Sequence, residues 1–103
     1  MLTSLYGCGP AYIFLMQKIF FDIAISHKIS KKTAYNLTKK LFLGSSLLSF
    51  ESDLDFAKMI ENVASKKGVT EASLENLFKN NKLHNLISKS VRNGINRSKK
   101  IAK

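Results

Sequence analysis

The residues of this 103-residue chain best placed to do chemistry lie in one short stretch, Ser65-Lys66-Lys67-Gly68-Val69-Thr70, directly ahead of a segment with helical periodicity. Backbone N–H groups that open a helix have no carbonyl partner inside it and carry the positive end of its dipole. Set beside two hydroxyls and two lysines, such groups attract a carboxylate or another small anion. The loop leading into Thr70 is therefore a candidate anion-binding segment. A plainer use competes with this one. Ser and Thr are common helix caps, so Thr70 capping the following helix and Ser65 ending the preceding one would account for both without a ligand.

The other reactive residue types do not assemble. Cys8 has neither base nor histidine near it in sequence and is not expected to be a nucleophile. As the only cysteine it cannot form an internal disulfide, which fits a reducing cytoplasm. His27 and His84 are far apart, with no cysteine or carboxylate at ligand spacing, so no metal centre is expected. Gly7-Cys8-Gly9 follows no strand-like run and precedes Pro10; it reads as a hinge and not as a phosphate cradle. Asp22, on an otherwise apolar segment, reads as a polar edge facing solvent.

Helices must position these residues, since no segment alternates with a period of two over a strand's length. The first helix runs from about Pro10, where a missing N–H costs nothing, to about His27. Tyr12, Ile13, Leu15, Met16, Ile19, Phe20, Ile23 and Ala24 form its broad apolar face, while Phe14, Phe21 and Ile25 spread onto the others. Most of its circumference thus calls for burial. Gln17, Lys18 and Asp22 interrupt it, which favours a buried helix of a soluble protein over a bilayer span. Ser30 caps a second helix from about Lys31 to Phe50, with Ala34, Leu37, Leu41, Ser45 and Leu48 on one face and small Gly44-Ser45-Ser46 inviting close packing. A third helix is signalled from about Asp55 to Ala64. A fourth follows from Thr70 to about Lys79, and a last one from about Lys82 to Lys100 carries Leu83, Leu86, Ile87, Val91 and Ile95. The expected class is all-α, five or so helices in a single domain covering 1–103. The crowded apolar surface of the first helix predicts a homodimer.

Net charge is +10, which on its own would suggest a polyanionic partner. Only Arg92 and Arg97 are arginines, and the lysines come as scattered pairs, Lys31-Lys32, Lys39-Lys40, Lys66-Lys67 and Lys99-Lys100. Read along the chain, this is not the clustered patch of a nucleic-acid reader, and neither nucleic acid nor membrane is expected as a partner.

Two segments carry a family resemblance. Tyr6-Gly7-Cys8-Gly9-Pro10-Ala11-Tyr12 resembles the Ser-Gly-Ser-Gly-Pro-Ala-Tyr motif that opens the C-terminal domain of pyrroline-5-carboxylate reductases. Val63-Ala64-Ser65-Lys66-Lys67-Gly68-Val69-Thr70 resembles that domain's Val-x-Ser-Pro-Gly-Gly-x-Thr loop, at a matching separation. Between them, Ser30 to Leu48 followed by Glu51-Ser52 is similar to the family's second long helix. The resemblance implies an intertwined homodimeric helical bundle, paired with an N-terminal Rossmann domain for NAD(P)H that has no counterpart in these residues. It further implies that Ser65 and the backbone of Gly68, Val69 and Thr70 hold the carboxylate of pyrroline-5-carboxylate. The Thr70 hydroxyl would orient the ring nitrogen, and any cofactor contact would fall near Gly9 and Pro10. Lys66-Lys67 stands where the family has Pro-Gly, removing a rigid turn and a residue free to take positive φ. Three readings follow: the dimerisation and substrate domain of such a reductase, inactive without a nucleotide-binding partner chain and binding no cofactor alone; a folded, dimeric remnant without activity; or a small basic helical nucleic-acid-binding protein.

Overall fold

The computed structural model describes residues 2–64 and 68–102, and every regular element among them is helical. A π-helical turn over Thr3–Gly7 precedes α1 (Gly9–Ser26), α2 (Lys31–Glu51), α3 (Phe56–Ala64) and α4 (Val69–Phe78); a 3₁₀ turn, Lys79–Asn81, then leads into α5 (Lys82–Ala102). The all-α expectation holds, with boundaries within a residue or two of those read from capping and periodicity. The chain divides into two compact units, Gly9–Leu54 and the combination of Met1–Cys8 with Asp55–Lys103.

The first unit is an α1–α2 hairpin. Its turn is a Schellman motif: Ile29 N–H donates to Ala24 O at 3.1 Å and Lys28 N–H to Ile25 O at 2.9 Å, which satisfies the last carbonyls of α1. The motif needs a left-handed residue, and Lys28 takes that role at φ 66° in place of the usual glycine. Ser30 caps α2 as expected, its side chain accepting from Thr33 N–H at 3.3 Å. The seam closes on Ala34 and Thr38, both buried. Phe21 stacks on Tyr35 with centroids 4.3 Å apart, and Phe20 meets Phe42 edge-on at 5.4 Å. Lys18 and Asp22 pair at 2.7 Å one helical turn apart and remain solvent-exposed. Asp22 is thus the polar edge the sequence suggested, and its hydrogen bond, then its charge, raises the Lys18 pKa above the ordinary 10.5.

In the second unit, Asp55 caps α3 by accepting from Lys58 N–H at 2.8 Å. Asn80 and Asn81 both adopt left-handed backbone, φ 59° and 54°, and so break α4 from α5; asparagine tolerates that region better than most residues. The N-terminal π turn lies against α5, where Ser4 is buried beside Gly94. A Cβ built on Gly94 would fall 3.3 Å from Ser4 Oγ, so the missing side chain is what lets the turn approach.

Burial departs from the sequence expectation. No α1 residue is buried within the chain, because α2 covers only one side of it. Likewise Leu37, Leu41 and Leu48 on α2 are exposed, and nothing lies within 4 Å of a Cβ placed on Gly44. The apolar spacing identified residues that share a face: Ala34 of that face is buried against α1, whereas Leu37, Leu41 and Leu48 stay open in this copy of the chain. Thr3–Ser26 is also long and apolar enough to cross a membrane by length and composition, even with Lys18 and Asp22 within it.

Candidate functional site

The candidate loop enters the described residues at Gly68. With φ 74° and ψ −4° it sits in the left-handed region and occupies the N-cap position of α4. Nothing lies within 4 Å of a Cβ built there, so backbone conformation and not space favours glycine. Its carbonyl accepts the first rung of α4, from Ala72 N–H at 3.0 Å. The N–H groups of Val69, Thr70 and Glu71 therefore precede the helical ladder, at the positive end of the dipole.

This placement corrects the expectation that Thr70 caps α4. Thr70 is the second residue of the helix, half-buried, and the helix has no side-chain cap. Glycine ranks close to threonine as a helix N-cap, so the helix start does not require the Thr70 hydroxyl. The Thr70 hydroxyl is thereby released from the structural role sequence reasoning gave it. Ser65, with Lys66 and Lys67, lies outside the described residues.

A groove between α3 and α4 runs from this helix start. Gly68 and Ala64 stand at one end, Ile60, Leu74 and Phe78 supply its apolar floor, and Glu71 and Glu75, one turn apart on α4, line it with carboxylates. Glu71 in the first turn is also favourably placed against the helix dipole. Of the described candidate residues Gly68 alone lines this groove, while Val69 and Thr70 lie outside its lining. The donors at the helix start suit a carboxylate, and the acidic wall of the groove beside them suits a cationic or hydrogen-bonding nitrogen. The second acidic wall, Glu75, was missed at the sequence level; the signal available was its four-residue spacing from Glu71.

The remaining candidates lie on other elements. Gly9 and Pro10 open α1 and belong to the other unit. Cys8 is exposed. His27 lies in the α1–α2 turn, while His84 lines one groove with Ile87 and Val91 and another with Ile60, Leu74 and Phe78, the residues that floor the candidate groove. Among the described residues, no three of His, Cys, Asp and Glu gather as a metal site would require.

Comparison with known proteins gives one consistent result. A family model described as pyrroline-5-carboxylate reductase dimerisation matches residues 1–101. A pyrroline-5-carboxylate reductase of Pseudomonas aeruginosa is 30% identical over 101 residues, covering 98% of this chain and 37% of the relative. That of Pasteurella multocida is 29% identical over 103 residues, 99% of this chain and 37% of the relative. One from Staphylococcus aureus strain COL is 28% identical over 76 residues, 74% and 28% respectively. The chain thus spans about a third of the length of these relatives.

Proposed function

The chain belongs to the pyrroline-5-carboxylate reductase dimerisation family, and from that premise we propose that it pairs with a second copy of itself and lends a carboxylate pocket to the reduction of pyrroline-5-carboxylate to proline. The observation that carries the pairing is exposed surface. Leu15, Ile19 and Ile23 on α1 and Leu37, Leu41 and Leu48 on α2 all stand exposed, more large apolar surface on one hairpin than a lone soluble copy ordinarily carries. A bilayer would satisfy α1 alone, whereas a second copy satisfies both helices.

Pyrroline-5-carboxylate is a small ring bearing a carboxylate and an imine nitrogen, which suits the backbone donors at the start of α4 and the acidic groove beside them. The N–H groups of Gly68, Val69 and Thr70, with Ser65, hold the carboxylate. The Thr70 hydroxyl hydrogen-bonds the ring nitrogen, and Glu71 and Glu75 favour its protonated, more electrophilic form. A nicotinamide cofactor supplies the hydride. The described residues contain no strand and no strand–turn–helix phosphate cradle, so they do not fit a dinucleotide. We assign cofactor binding to a nucleotide-binding domain outside these residues, either on a longer polypeptide or on a docked chain, within a cytoplasmic enzyme. On this reading the chain alone does not turn over.

Sedimentation velocity at micromolar concentration should give a dimer, and NAD(P)H oxidation with pyrroline-5-carboxylate should appear only when a nucleotide-binding domain from a relative is added. Thr70→Val in that reconstituted enzyme should lower kcat/KM by about 10- to 100-fold, the scale of one buried hydrogen bond. A stable monomer would overturn the pairing. No turnover with both parts present and correctly folded would overturn the catalytic role and leave a dimeric remnant.

A further inference from the structure

The basic residues of α5, spread singly and in pairs along the sequence, become one stripe in the helix. From Asn76 onward the sequence contains no aspartate or glutamate. At 100° per residue, Lys82, Lys89, Arg92, Arg97, Lys99 and Lys100 fall within an arc of about 160°, on the face opposite buried Val91, over a length of about 27 Å. All six are exposed, and both arginines of the chain are among them, with Asn93, Asn96 and exposed Leu86 interleaved. The opposite face is occupied: it lies against the N-terminal turn and α4.

Helix stability does not account for this pattern. Lys99 and Lys100 suit the C-terminal end of the dipole, but Lys82 in the first turn opposes it. The pairs Lys89 with Arg92 and Arg97 with Lys100, three residues apart, are like-charge neighbours that destabilise a helix. Among the described residues neither ion pair involves α5; the two are Lys18 with Asp22 and Lys58 with Glu61. The stripe is therefore a linear, uncompensated array of positive charge on a rigid rod.

We propose that this face of α5 binds the phosphate backbone of duplex DNA, a function separate from the reductase role and independent of it. A linear polyanion complements a linear array, and neutralising it releases condensed counterions. The major groove of B-form DNA is wide enough to admit an α-helix, whereas that of A-form RNA is too deep and narrow, which selects duplex DNA. An anionic lipid surface is met by a helix whose apolar residues are free to insert; Leu86, Ile87 and Ile101 of α5 are exposed, so vesicles are the competing arm of the test.

The test is fluorescence anisotropy of a labelled 20-base-pair duplex of arbitrary sequence, titrated with the 103-residue chain between 50 and 200 mM salt. With about five phosphates neutralised, affinity should fall roughly 500-fold across that range. The triple substitution Lys89→Gln, Arg92→Gln, Lys99→Gln should cut that dependence to about 10-fold. Lys31→Gln, Lys32→Gln, Lys40→Gln on α2 changes the net charge equally and should leave the slope near the parental one. Circular dichroism establishes that both variants retain their helix content. No binding at 50 mM salt, equal loss in both variants, or preferential binding of duplex RNA or phosphatidylserine vesicles would each overturn the proposal.

Discussion

Leu15, Ile19 and Ile23 recur every four residues on α1 and form a continuous ridge of the kind that packs into a neighbouring helix. Within one copy they remain 56%, 42% and 52% exposed, so about one and a half side chains of hydrocarbon are left in water. Full burial of such a side chain stabilises by about 1.5–3 kcal/mol; covering the ridge is therefore worth about 3 kcal/mol per copy and about 6 kcal/mol for a symmetric pair. The substitution Leu15→Ala, Ile19→Ala, Ile23→Ala removes most of that while keeping the best helix former at each position. At about 1.4 kcal/mol per tenfold, the dimer dissociation constant should rise roughly ten-thousandfold. Sedimentation equilibrium over nanomolar to millimolar protein measures it, and far-ultraviolet circular dichroism monitors the helix. A variant with full helix content and a dissociation constant within tenfold of the parent would refute the assignment of this ridge to the interface.

Three further outcomes are expected. Lys28→Gly should stabilise the chain by about 0.5–1 kcal/mol, since the left-handed site costs a non-glycine residue about 1–2 kcal/mol and glycine returns part of that as unfolded-state entropy; the midpoint in urea should rise at unchanged slope and fixed protein concentration. Ser30→Ala should cost about 0.5–1 kcal/mol in the same assay, at the lower end for a cap because the bond to Thr33 is long at 3.3 Å. Gly94→Val should release the N-terminal turn from α5, since even a Cβ falls 3.3 Å from Ser4 Oγ; hydrogen exchange of residues 3–8 should accelerate, and unchanged protection would show that the turn is held elsewhere.

Helix positions were legible because their signals are local. Ser30 ahead of a periodic run, Pro10 near a start and the apolar spacing of α3 and α5 each act within one or two turns. The site was half legible. Gly68 was recognised as part of the loop, but Thr70 was given the cap on residue preference, while the left-handed backbone of Gly68 decided the matter. Glu75 went unnoticed because its place in the groove depends on α3 lying across from it. The apolar stripe of α2 was read correctly as a shared face, yet a sequence does not say whether its cover comes from the same copy. Nor does pairwise spacing of lysines display a helical stripe until the helix is drawn. The left-handed turn at Lys28 had no residue signal at all, because its hydrogen bonds impose it on a side chain that does not prefer it.

Among the described residues no large side chain is fully enclosed, and only Ala34 and Val91 form a buried apolar core. On the pairing proposed above, a copy without its mate resembles a late folding intermediate in the eyes of chaperones and proteases, which act on accessible hydrocarbon. Orphaned chains should then be cleared faster than assembled ones.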